Sequence, residues 1–276
     1  MPVSGGWRAQ SPADLVLLPG MLAPRADVVI AALERYRIEL SLLRRQWQQG
    51  AMIAANCAST FLLAEAGLLD GRLATTSWWL ANAFRERYPR VDLRPDEMIT
   101  DEGSLLCSGA TTAAVHLALH LVERFGAQEL AQSVAKFLLI DTNQLSQAPY
   151  KSLVLPEHLI HGDPLVKRAQ RWMERNLKRP IDLEQVAREL CVSERTLIRR
   201  FKLALNETPG RYLQMLRIDA AKRMLDRSML AIDLLCAEVG YEDASSFRRL
   251  FRRETGLTPS EYHRRFGRAP ARARGA

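Results

Sequence analysis

Cysteine is scarce in this sequence. Four stand in 276 residues (Cys57, Cys107, Cys191 and Cys236), and no two form a C-x-x-C pair. That excludes the usual structural zinc spacings and a disulfide framework, and it fits a reducing cytoplasm. Long apolar runs are missing as well: none approaches the roughly 20 residues needed to cross a bilayer. The opening MPVSGGWRAQ has no basic segment leading into an apolar core, so no secretory signal is expected. Low-complexity tracts are also lacking. With 47% apolar and 25% charged residues, the composition is that of a globular protein with room for one large domain or two ordinary ones.

What is present is an uneven charge. The chain carries a net +8, but residues 164–276 hold +11 and residues 1–163 hold −3. A basic end on a mildly acidic partner points to an anionic ligand for that end alone, either nucleic acid or a membrane surface. The first part reads as α/β. Apolar runs at Asp14–Gly20 and Ala51–Cys57 predict buried strands, and short strands are expected at Leu73–Thr76 and within Val91–Cys107. Helices are expected over Asp27–Gln49, Ser59–Ala66, Thr111–Phe125 and Gln128–Leu139. Alternation of this kind predicts a mainly parallel sheet. The stretch 141–163 loses periodicity and carries Pro149, Pro156 and Gly162, which marks a linker. Beyond it there is no strand signal, only short helices. The expected layout is an α/β domain over 1–140, the linker, an all-α domain over 164–268 and a basic tail over 269–276.

The helical part repeats itself at a shift of fifty residues. Ala187 falls on Ala237, Ser193 on Asp243, Leu197 on Phe247, Arg199 on Arg249 and Phe201 on Phe251. Asn206 falls on Gly256, Thr208-Pro209 on Thr258-Pro259, and Tyr212 on Tyr262. Ser193 and Asp243 are suited to N-caps, and Asn206 and Gly256 to the left-handed residue that ends a helix. Two copies of a helix–turn–helix unit explain the matches. With Leu197 and Phe201 turned inward, Arg195, Ile198, Arg199 and Lys202 form one exposed stripe; Ser245, Arg248, Arg249 and Arg252 form its counterpart. Such a helix fits a major groove, where Arg can donate twice to guanine, while Lys202 and Arg252 near the helix ends suit phosphates. A membrane role would need a broad apolar face, and here that face is narrow and committed to a core.

Residues 164–268 resemble the tandem helix–turn–helix domain of the AraC/XylS transcription regulators. The likeness is carried by the stretch from Ala187 to Arg200 and by the segment from Val239 to Tyr262. It implies two recognition helices in successive major grooves, with Arg195, Ile198 and Arg199, and then Ser245, Arg248 and Arg249, at the base-reading positions. Ile198 departs from the polar residue common there and suits a thymine methyl or a sugar instead.

The segment Cys57 to Trp78 resembles the strand–elbow–helix of PfpI/ThiJ domains (class I glutamine amidotransferase-like), which precede the AraC-type domain in GlxA-like regulators. The likeness runs from about Asp14 to Leu139 and implies a flavodoxin-like α/β fold. An elbow cysteine at a helix start favours the thiolate, but nucleophilic catalysis also needs a base. Where the superfamily often has histidine, this chain has Ala58 and Ser77. No catalytic residue is therefore assigned. Cys57 and Ser77 are candidate pocket residues, with a buried structural thiol and a cysteine-dependent amidase or deglycase as the other readings of Cys57. His116 and His120 have zinc-compatible i,i+4 spacing without an evident third ligand, so neither metal nor cofactor is expected. The family's opening central strand has no counterpart in the thirteen residues before Asp14, so the α/β domain is expected to start late and to be incomplete. The expected partners are double-stranded promoter DNA, a second copy of the chain, a small-molecule effector and RNA polymerase.

Overall fold

The computed structural model describes residues 12–21, 23–151 and 161–267. They divide into two compact units, Met1–Gln147 and Ala148–Ala276. The first is built on a sheet ordered β1 (Leu15–Met21), β2 (Met52–Cys57), β6 (Leu105–Ser108) and β5 (Ile99–Asp101). β1, β2 and β6 run parallel, with Leu15 beside Met52 and Ile53 beside Leu105, while β5 is antiparallel to β6. A separate parallel pair joins β3 (Leu73–Ala74) to β4 (Asp92–Leu93).

β2 shows why its sequence is apolar at almost every position. Side chains alternate across a strand, so both faces must suit a core when helices cover both. Ile53, Ala55 and Cys57 enter one cluster with Val29 and Leu33 of α1 (Ala26–Leu33) and Leu40 and Leu43 of α2 (Arg37–Gln48). Ala54 points the other way, into a cluster with Leu106 and with Leu117 and Leu121 of α5 (Ala113–Arg124). The helices α3 (Thr60–Glu65), α4 (Ala81–Arg87) and α6 (Gln128–Phe137) complete the unit. The single helix expected over Asp27–Gln49 is broken by a 3-10 turn at Glu34–Tyr36, and Gly50 ends it with φ +96. β1 forms an edge of the described sheet and leaves Leu17 half exposed.

The stretch 141–163, read from sequence as a linker, is engaged at both ends. Gln147 is buried in the first unit, where its Nε2 donates to Thr75 Oγ1 (3.2 Å), Thr76 O (2.9 Å) and Glu97 O (3.2 Å), and its Oε1 accepts from Ala110 N (3.1 Å). In the second unit Lys222 Nζ donates to Pro149 O and Lys151 O at 3.0 and 2.7 Å, and Tyr150 packs edge-on against Phe266. Aperiodic sequence is therefore ordered here by long-range contacts. Residues 152–160 and the basic tail 269–276 lie outside the described residues, as do residues 1–11.

The second unit is helical: α7 (Pro164–Arg175), α8 (Leu183–Glu189), α9 (Glu194–Leu205), α10 (Pro209–Arg227), α11 (Ile232–Glu238), α12 (Ala244–Thr255) and α13 (Pro259–Phe266). Starts and stops follow local chemistry. Ser193 Oγ accepts from Thr196 N, and the Asp243 carboxylate accepts from Ser245 N and Ser246 N. Thr208 and Thr258 cap helices that open on proline. Asn206 (φ +53) and Gly256 (φ +72) are left-handed and close α9 and α12. Two cores result, one around Leu197 and Phe201 and one around Phe247 and Phe251. Burying each phenylalanine contributes about 1.5–3 kcal/mol.

The repeat needs one correction. From Ser193 and Asp243 onward the shift of fifty holds. Before the turn it is forty-nine, because the second turn holds one residue more. Val192 N bonds Ala187 O just as Tyr241 N bonds Cys236 O, so Ala187 corresponds to Cys236. Both are buried, whereas Ala237 is exposed.

Candidate nucleic-acid interface and thiol pocket

The core positions of α9 and α12 orient everything else on them. Leu197 and Phe201 are fully buried, and the residues on the opposite arc, Arg195, Ile198, Arg199 and Lys202, are all exposed. In α12, Phe247, Leu250 and Phe251 are buried, and Ser245, Arg248, Arg249 and Arg252 are exposed. Both predicted stripes are therefore assembled, each on one helix face. Their arginines are little used by the protein itself. The Arg249 side chain reaches Ser246 Oγ (3.0 Å), Lys202 Nζ touches Asn206 O at 3.5 Å, and the side chains of Arg195, Arg199, Arg248 and Arg252 make no hydrogen bond or ion pair among the described residues.

Arginines beside the stripes behave differently, and sequence reading missed that division. Arg200 Nε binds the Asp163 carboxylate at 2.5 Å, while Asp163 also caps α7 by accepting from Leu165 N and Val166 N. The hydrogen bond from Arg200 holds the Asp163 carboxyl below its ordinary value, and the two N–H donors at the cap add to the effect. Arg211 grips Glu254 through both nitrogens of its fork (2.7 and 2.5 Å), and Arg253 adds a third donor at 3.0 Å. Burial pushes Glu254 up, yet Arg211 and Arg253 bring it below its ordinary value. Arg200 and Arg211 are thus neutralised by carboxylates within the fold, while the stripe arginines have no carboxylate partner among the described residues. The signal for Asp163 was legible as Gly-Asp-Pro ahead of an amphipathic run, a cap followed by proline at the first helical position.

In the α/β unit, Cys57 ends β2 in the left-handed region (φ +60) and is almost fully buried. Ser77, also buried, lies 2.7 Å from its sulfur through Oγ, so the two candidate pocket residues are brought together. Thr76 Oγ1 donates to Cys57 O (2.9 Å), and a Cβ at Gly20 would stand 2.7 Å from Asn56 Nδ2, so the neighbouring strand end approaches closely. His120 has a carboxylate of β5 as its partner. Its Nε2 lies 2.8 Å from Asp101 Oδ2, the same oxygen that Arg124 binds at 2.7 Å. Partial burial lowers the pKa of His116. No group of three or more potential ligands that could hold a metal stands together among the described residues.

Comparison with known proteins agrees with both halves. Residues 8–124 match the DJ-1/PfpI family, and residues 186–265 match a helix-turn-helix domain family. Over 245 residues the chain is 29% identical to the HTH-type transcriptional regulator GbdR of Pseudomonas aeruginosa, covering 87% of this chain and 66% of GbdR. It is 32% identical over 226 residues to the HTH-type transcriptional regulator ArgR of the same species (79% of this chain, 66% of ArgR). It is 28% identical over 225 residues to the HTH-type transcriptional regulator GlxA of Rhizobium meliloti (82% of this chain, 69% of GlxA). The chain thus spans about two thirds of the length of these relatives. Among the described residues no helix is long and apolar enough to cross a membrane. An α/β unit of the DJ-1/PfpI type followed by paired helix–turn–helix units places this chain in the AraC family of regulators, in the group that carries that architecture.

Proposed function

We propose that the protein is a cytoplasmic transcription regulator that binds promoter DNA in a sequence-specific manner. Arg195, Ile198 and Arg199 would read one major groove, and Ser245, Arg248 and Arg249 the next. Lys202 and Arg252 would hold phosphates. The observation that carries this reading is the contrast among the arginines. The two stripes occupy equivalent faces of two capped helices and keep their donors for a ligand, while Arg200 and Arg211 are satisfied by carboxylates. The names of the relatives, all HTH-type transcriptional regulators, support it. In this reading the α/β unit does no chemistry. It dimerises and takes a small effector near Cys57 and Ser77, and RNA polymerase is the partner downstream. Anisotropy on duplexes recovered from a random library tests the proposal. The double variant R199A/R249A should lose about 1–3 kcal/mol per bidentate contact. Log affinity of the parent should fall with log salt by about 0.9 per phosphate contact. Unchanged affinity in the double variant would sink the assignment.

A second reading, thiol chemistry at Cys57, is favoured by its left-handed strand-to-helix elbow. Rapid alkylation by iodoacetamide near neutral pH, lost in C57S, would support it. The buried setting against Ser77 predicts slow alkylation instead.

A further inference from the structure

Each helix–turn–helix unit keeps its own core, and α10 serves both. Tyr212, Leu213 and Leu216 enter the first, and Ala220, Ala221 and Leu225 enter the second. Between those two sets lies Arg217, only 9% exposed. Its Nη2 donates to Arg179 O (2.8 Å), its guanidinium lies over the Tyr241 ring at 5.1 Å, and its Nε is buried with no hydrogen-bond partner among the described residues. Arg179 follows α7 in the first unit, whereas Tyr241 belongs to the turn of the second.

Backbones meet at the same seam. Gly240 has φ +74, and a Cβ there would stand 2.4 Å from Leu177 O, 2.8 Å from Arg217 Nη2 and 3.0 Å from Arg179 O. Nothing larger than glycine fits without a shift. Lys178 Nζ pairs with Glu238 Oε2 across it at 2.6 Å.

A buried cation with an unpaired nitrogen is costly packing, and an apolar side chain of similar volume would fill the space more cheaply. What an arginine adds is direction, since a planar fork on a fixed carbonyl and an aromatic face defines one angular setting. The shared helix does not secure that setting alone, because long helices bend. The demand for it is severe. DNA rises about 34 Å per turn of roughly ten base pairs, so a slip of one pair displaces a recognition element by about 3.4 Å and turns it by about 35°.

We propose that the seam of Arg217 and Gly240 is a positioning brace. It fixes the rise and rotation between α9 and α12, and so the one base-pair spacing at which a two-part duplex site is read. This rests on the DNA-reading function proposed above.

The test is selection from a randomised duplex library by the full chain and by its R217M and G240A variants, which reports base preference and spacing separately. The parent should recover two elements at one spacing. The variants should keep the base preference of each element while the spacing spreads by a base pair or more. Affinity for the best parental duplex should drop about tenfold, the scale of one misplaced bidentate contact. K178M, which removes only an exposed ion pair, should keep the parental spacing. R217K keeps the cation and loses the planar fork, and it supplies the same readout if R217M loses its thermal unfolding transition. A single parental spacing in the Arg217 and Gly240 variants would overturn the brace and leave DNA reading intact. Failure of the parent to recover any sequence would overturn both.

Discussion

The two helix–turn–helix units share a plan and differ in detail, and the differences separate what a backbone demands from what an exposed surface is free to vary. Both recognition helices begin one residue after a cap, run twelve residues and stop at a left-handed residue. The cap is serine in one and aspartate in the other; the stop is asparagine in one and glycine in the other. Each pair meets the same requirement with different atoms. On the exposed faces the divergence is chemical: one stripe carries an isoleucine among its cations, and the other a serine with three arginines. In the proposed DNA-reading function, equivalent scaffolds with unlike faces suit two unlike half-sites. Gly240 and Tyr241 of the second turn correspond to Cys191 and Val192 of the first, all before the extra residue, and Cys191 is left-handed as Gly240 is.

If the units are energetically equivalent, truncating their cores should cost the same. F201A and F251A remove fully buried rings from corresponding positions, and each should destabilise the helical unit by about 3–5 kcal/mol in denaturant unfolding. A clearly smaller loss in one would show that the units are unequal. The caps should split the pair more finely. S193A removes one acceptor and should cost about 1 kcal/mol; D243A removes a carboxylate that accepts from two N–H groups and should cost somewhat more. Acid sharpens the contrast further. Hydrogen bonds from Ser246 and Ser245 hold the Asp243 carboxyl below its ordinary 3.8. A depressed folded value means stability that is present above 3.8 and lost as pH falls through the folded value. D243A should therefore flatten the acid limb of the unfolding curve slightly, whereas S193A, which removes no titrating group, should leave its shape alone.

Much of the helical unit was legible from sequence because its signals are local. A cap acts on backbone groups two or three residues away, and a stripe follows from a period of 3.6. The α/β strands were legible for a related reason, since strands covered on both faces read as apolar runs. Elsewhere local signals ran out. Nothing in QLSQAPYK marks Gln147 as a buried side chain bonded to Thr75, Thr76, Glu97 and Ala110, because its partners lie thirty-seven or more residues away. Exposed Ala237 could stand for buried Ala187 only until backbone bonds revealed the longer turn. His116 and His120 share a helix face, yet Asp101, from another strand, decides what His120 does.

The sequence by itself determined where the recognition helices start and stop and which faces carry charge, because each of those properties is settled within a turn or two of chain. Tertiary structure alone decided which of the many arginines are spent on the fold. Arg199 and Arg200 are neighbours in sequence, but only Arg200 meets a carboxylate, thirty-seven residues away, while Arg217 is buried at a seam between two units. Charge is a property of a residue, and its availability to a ligand depends on what long-range packing brings within hydrogen-bond reach.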